Sequence, residues 1–166
     1  FSPLEGLRVL DLSDEKGELC GRILGDLGAD VLKIEPSNGT VSRTLGPFAP
    51  DGTSLYFAYR NLNKRSASID FDTTEGVDDL FALIKQSDVL IETFLPGTLA
   101  ELGISPELLL SENPSLIIVS LTDFGQTGPD SSFVGTDEVV FARSGWLSVS
   151  GVIDKPPLLA PGSISY

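Results

Sequence analysis

Histidine and methionine are absent from these 166 residues, and cysteine occurs once, as Cys20. A single thiol excludes an intrachain disulfide. It sets a reducing, cytoplasmic interior as the expected setting. Without histidine, the commonest metal ligand and the usual neutral-pH proton carrier are both missing. Any chemistry therefore falls to carboxylates, hydroxyls, amides, lysine or arginine. Basic side chains are scarce as well: 11 against 24 acids, for a net charge of -13. So acidic a surface argues against nucleic acid or an anionic membrane as partner. No apolar run reaches the roughly 18 residues that a membrane helix needs. The start, Phe1-Ser2-Pro3-Leu4-Glu5-Gly6, has no basic stretch followed by an apolar one. No signal peptide is expected from it, and the missing initiator Met points to trimming or a fragment.

The common nucleotide signatures are missing too. No G-x-G-x-x-G follows the first expected strand, and no G-x-x-x-x-G-K followed by Ser or Thr occurs. This argues against an NAD-binding Rossmann domain and a P-loop enzyme. Metal-ligand spacing is absent. Asp14, Glu15 and Asp72 fall near strand ends, as acids holding Mg²⁺ would in a phospho-receiver domain. The fifth strand, however, ends in Leu121-Thr122-Asp123, without the lysine such a site wants.

What is present is alternation of strand and helix patterns. Arg8-Val9-Leu10-Asp11-Leu12 reads as a buried strand. A helix follows with Leu19, Ile23, Leu24 and Leu27 on one face and Gly17, Gly21 and Gly25 spaced for close approach. Gly28 stops it, and Asp30 to Glu35 forms the second strand, closed by Pro36. That βαβ unit implies parallel pairing. After a Gly/Pro-rich loop, Ser54 to Arg60 reads as a short helix and Ala67 to Phe71 as a third strand. Asp72-x-x-Glu75 resembles a capping box opening a helix with Val77, Leu80, Phe81 and Ile84 inward. Asp88 to Thr93 and Leu116 to Leu121 are further strands, with short helices near Thr98–Leu102 and Pro106–Leu110. Glu138 to Leu147 reads as a last helix. The expected class is α/β, a mostly parallel sheet flanked by helices. By length this is one domain or part of a larger one.

Arg60, Lys64 and Arg65 gather three of the eleven basic residues within six positions, just after the aromatic run Tyr56-Phe57-Ala58-Tyr59. In an acidic chain, such a cluster suits a phosphorylated small molecule with a flat ring. A solvated basic patch at a helix end explains it as well. Strand ends at Ser13–Gly17, Pro36–Gly39, Phe94–Gly97 and Thr122–Gly128 are rich in Gly, Pro and small polar residues, as a ligand site would be. So are most loops.

Five segments together carry a resemblance: Pro3 to Leu12, Gly25 to Pro36, Asn63-Lys64-Arg65-Ser66, Glu92-Thr93-Phe94-Leu95-Pro96-Gly97, and Asp123-Phe124-Gly125-Gln126-Thr127-Gly128-Pro129. In this order and spacing they are similar to blocks of the class III CoA-transferases. That family includes formyl-CoA transferase, carnitine CoA-transferase and alpha-methylacyl-CoA racemase. The resemblance implies a Rossmann-like large domain, of which residues 1–166 are the N-terminal part. The rest of that domain and a smaller second domain lie outside this chain. It also implies an interlocked homodimer of full-length chains, with coenzyme A and acyl-CoA as substrate and no metal. Carried over by position, Arg43, Lys64 and Arg65 face the CoA phosphates, and Thr93 and Phe94 lie by the adenine.

The implied reaction moves CoA from an acyl-CoA thioester to a carboxylic acid through an enzyme aspartyl-CoA intermediate. The nucleophile is expected about ten residues after Pro156-Pro157. Without a gap Tyr166 falls on that position; with one inserted residue the aspartate lies just beyond this chain. Asp137 is the substitute within it. Two departures stand out. Asp14-Glu15-Lys16-Gly17 replaces an apolar Ala-Gly-Pro beside CoA, and Thr93 replaces an asparagine. Two alternatives remain. One is a racemase of the same family, although Gly135-Thr136-Asp137 stands where it has Gly-His-Asp. The other is a non-catalytic CoA-binding or structural half of a tandem protein.

Overall fold

The computed structural model describes residues 2–163 and 165. They divide into two compact units, 1–121 and 122–166.

The first unit is a five-stranded sheet: β1 (Arg8–Leu12), β2 (Asp30–Glu35), β3 (Lys64–Ser68), β4 (Val89–Glu92) and β5 (Ile117–Ser120). Their order is β3-β2-β1-β4-β5, and every pairing is parallel. Parallel strands need crossovers, and here helices supply them: α1 (Glu18–Asp26), α2 (Leu55–Arg60), α3 (Thr74–Ile84), α4 (Thr98–Glu101) and α5 (Pro106–Glu112). One face packs Leu10, Ile34, Leu80, Ile84, Leu90 and Leu109 into the larger core. The other packs Val9, Val31, Val89 and Ile91 with Cys20 and Leu24 of α1. Central strands covered on both faces read as near-continuous apolar runs, and β1 and β4 are visible in the sequence for that reason.

Three local expectations are corrected. The third strand is Lys64–Ser68, not 67–71. Asn63, at φ 63°, turns the chain so that Lys64 already pairs with Val31. A Lys-Arg-Ser-Ala-Ser strand lacks apolar alternation because it is an edge strand, where polar residues are tolerated. The cap of α3 is Thr73 rather than Asp72, its hydroxyl accepting the Gly76 N–H at 3.1 Å. On α1, Ile23 and Leu27 are 51% and 42% exposed. The glycines do meet the sheet, as their spacing implies: a Cβ on Gly21 would lie 2.4 Å from Asp11 Oδ2.

The second unit holds α6 (Asp137–Arg143) and a 3₁₀ turn, Trp146–Ser148. One helix over 138–147 was expected. Gly145, at φ 84°, ends it instead. Phe141 is buried and stacks on Trp146, and Asp123 accepts the Gly135 N–H at 2.8 Å.

Candidate functional site

In this strand order the winding reverses between β1 and β4. Ligands of open parallel sheets sit outside the carboxyl ends of the strands at such a reversal. Here the Asp14 N–H, just past β1, donates to Thr93 Oγ1, just past β4, at 2.8 Å. A cleft of about 370 Å³ opens at this rim, lined among others by Leu12, Asp14, Val41, Phe71, Thr93 and Phe94. Phe94 also packs against the larger core. Its N–H donates to the buried Glu92 carboxylate at 2.7 Å. Burial pushes the Glu92 carboxyl above its ordinary range, against hydrogen bonds from Ser120 and Phe94. Gly17 lets the start of α1 approach the same rim, since a Cβ there would lie 2.8 Å from Thr93 Cγ2.

Beside this cleft, across residues 36–39, is a second hollow of about 330 Å³, lined by Glu35, Asn38, Gly39, Arg43 and Ser66 among others. Arg43 lies on the 3₁₀ turn Val41–Thr44. Its Nε and Nη2 donate to the two Glu35 oxygens at 2.6 and 2.8 Å. Its guanidinium stacks 3.8 Å from the centre of the Phe57 ring. The fork uses one edge of the guanidinium and leaves Nη1 for an anion. Burial would raise the Glu35 carboxyl, but hydrogen bonds from Arg43, Ser66 and Thr40 outweigh it and hold the group at about 2.

The structure does not bring Lys64 and Arg65 to Arg43. Alternation along β3 sends them to opposite faces. The Lys64 side chain is 1% exposed, beneath α1. Its ammonium donates to Asp11 Oδ2, the Glu18 carbonyl and Asn61 Oδ1 at 2.6, 2.7 and 2.8 Å. Those three bonds use all three donors. Burial pulls the Lys64 pKa down, against the pull of Asp11. Arg65 forms a fork with Asp30 at the amino end of the sheet, on an exposed surface.

Sequence reasoning missed the partners that govern these cations. Lys33 and Asp11 face each other in register in β2 and β1. Both are buried, and Lys33 also contacts Glu18 Oε1 at 3.2 Å. The signal was available: one charged residue inside each apolar strand, Asp11 and Lys33, marks a buried ion pair rather than a surface position.

In the second unit Asp137 opens α6, and its carboxylate accepts the Ser165 N–H at 2.9 Å. Tyr166, the position aligned with the nucleophile, lies outside the described residues.

Residues 4–166 match CoA-transferase family III. The chain is 41% identical to a succinate–glutarate CoA-transferase of Agrobacterium fabrum, over 95% of this chain and 42% of that protein. It is 36% identical to a formyl-CoA:oxalate CoA-transferase of Escherichia coli, over 98% of this chain and 40% of that protein. It thus spans about two fifths of these curated relatives. The crystal structure of a CAIB/BAIF family protein from Brucella suis superposes with a TM-score of 0.93 at 37% identity, covering 98% of this chain and 44% of that one. The five-stranded parallel sheet and the match along the sequence place this chain in CoA-transferase family III, where it spans the N-terminal part of the family's length.

Proposed function

We propose that this chain supplies the coenzyme-binding rim of an enzyme that transfers CoA between an acyl-CoA thioester and a carboxylic acid. The observation that carries this reading is the cleft at the β1–β4 reversal, with Thr93 and Phe94 on its wall and the Arg43 hollow beside it. An adenine ring suits the apolar cleft, and a phosphate suits the free edge of Arg43. Lys64 and Arg65, engaged by Asp11 and Asp30, serve as framework in this reading. Asp14 and Glu15 at the rim disfavour a second negative group, so the phosphates run toward Arg43 and not past β1.

In this scheme an aspartate just beyond Tyr166 attacks the thioester carbonyl, and CoA leaves as its thiolate. The thiolate then attacks the aspartyl carbonyl of the mixed anhydride, releasing the donor acid and leaving aspartyl-CoA. An acceptor carboxylate attacks the aspartyl carbonyl of that thioester, expelling CoA thiolate and forming a second mixed anhydride, and the thiolate then attacks the acceptor's acyl carbon. This frees the aspartate and the new acyl-CoA. Asp137, which holds residue 165 to the start of α6, has a framework role in this scheme. Full-length chains work as an interlocked homodimer.

The test is transfer by the complete polypeptide, followed by chromatography of CoA esters, with succinyl-CoA plus glutarate and formyl-CoA plus oxalate as first pairs. New CoA ester together with an enzyme-bound CoA thioester is the expected result. Epimerisation of an optically pure 2-methylacyl-CoA without transfer would select racemase chemistry instead. CoA binding without either reaction would select a non-catalytic half.

A further inference from the structure

Glu18 is the first residue of α1 and is completely buried. It takes no part in the rim contacts of Arg43, Thr93 and Phe94. Its Oε1 lies 3.2 Å from Lys33 Nζ and accepts the Ser42 hydroxyl at 2.7 Å. Among the described residues its Oε2 has no hydrogen-bond partner. Ser42 is buried within the Val41–Thr44 turn. The Ser42 and Thr40 hydroxyls pair at 3.0 Å, and the Ser42 carbonyl accepts the Ser54 hydroxyl at 3.0 Å. The Thr40 N–H reaches Glu35 Oε2 at 3.3 Å. Two buried carboxylates therefore grip one short turn. Glu18 holds it through Ser42, while Glu35 holds it through Arg43 and Thr40.

A buried carboxylate with one oxygen unsatisfied costs free energy. A buried ion cluster gives little net stability over apolar packing of the same volume. Its return is geometric. Lys33 fixes the carboxylate, and the fixed oxygen admits Ser42 in one place. The flanking residues Val41 and Arg43 are the turn's contributions to the two rim hollows.

We propose that Glu18 is a positioning residue: backed by Lys33, it sets the Val41–Thr44 turn through Ser42, so that Val41 and Arg43 stand preorganised for the nucleotide end of acyl-CoA. This rests on the rim reading above. A three-residue relay from sheet to turn means that the site is aimed from beneath by a side chain that never meets the ligand.

The test uses Ser42→Ala and Glu18→Gln in the complete polypeptide, read by amide hydrogen exchange and by calorimetry with CoA. The Arg43 and Leu45 amides, bonded to Thr40 and Ser42 carbonyls, report on the turn. Ser42→Ala should speed their exchange about tenfold in the CoA-free protein and leave β1, β2 and β4 unchanged. It should also weaken CoA binding about fivefold at unchanged stoichiometry. Glu18→Gln should do the same more strongly; if it does not fold, Ser42→Ala decides alone. Unchanged exchange in Ser42→Ala overturns the relay. Faster exchange with unchanged affinity overturns its link to the ligand. So does a lower melting temperature with fewer binding sites and unchanged affinity, the mark of a merely structural role. If the unaltered protein binds no CoA, the rim reading fails, and exchange alone decides whether Glu18 holds the turn.

Discussion

Asp30 and Glu35, the first and last residues of β2, each accept a two-pronged arginine: Arg65 at the amino end of the sheet and Arg43 at the carboxyl end. The chemistry is the same and the surroundings are not. The Arg65 and Asp30 side chains are 66% and 49% exposed. Glu35 is buried, receives Ser66 and Thr40 besides Arg43, and has Phe57 stacked on its partner's guanidinium. Solvent screens the first fork and leaves it worth little. Burial makes the second one stiff. An arginine held on one edge by a buried carboxylate presents its other edge without further ordering cost. Lys64 extends the lesson. It is one residue from Arg65 and is buried with a carboxylate of its own.

Substitutions can break or sharpen this contrast. The largest effect is expected from Lys64→Ala. It leaves the buried Asp11 with its hydrogen bonds from Ser13 and, as a cation, the more distant Lys33, 3.9 Å away. Breaking such a pair should cost about 3 kcal/mol of stability in denaturant unfolding. A loss below about 1 kcal/mol would mean that the cluster relaxes or admits water. Glu35→Gln should cost about 1.5 kcal/mol, since it removes a charge-assisted fork whose arginine is partly solvated.

The pH dependence of that second gap sharpens the contrast further. The folded Glu35 carboxyl lies at about 2, below its ordinary 4.5. A lowered acid adds stability that is fully present above about pH 4.5 and is lost as the pH falls toward 2. The difference between the unaltered protein and Glu35→Gln should therefore shrink between pH 5 and pH 2.5 in paired unfolding curves. A constant difference would assign the Glu35 contribution to shape rather than charge. The smallest effect is expected from Arg65→Ala, within about 0.5 kcal/mol in the same unfolding measurement. A larger loss would remove the distinction between the two ends of β2.

The sequence was most informative where burial is complete. β1, β2, β4 and the inward face of α3 follow from apolar patterning, because residues covered on both faces must be apolar nearly throughout. It misled at β3, whose polar residues obey the rules of an edge strand. Around α1 it misled only for Ile23 and Leu27, which point outward, while the glycines face the sheet as their spacing implied. Of the residues expected at the site, Thr93 and Phe94 share one cleft and Arg43 borders the next hollow on the same rim. Lys64 and Arg65 leave the group because a strand sends neighbouring residues to opposite faces, and placing the strand three residues late, at 67–71, left both outside it and hid this.

Family and the parallel α/β sheet were thus legible from residue order alone, since local periodicity and short motifs survive without knowledge of any contact; the strand order β3-β2-β1-β4-β5 came from the tertiary structure. Which cations point at the rim, and which are spent inside, was decided only by the tertiary structure. A lysine's partner is fixed by strand register and by the helix above it, and here Asp11 and Glu18 lie 53 and 46 positions from Lys64.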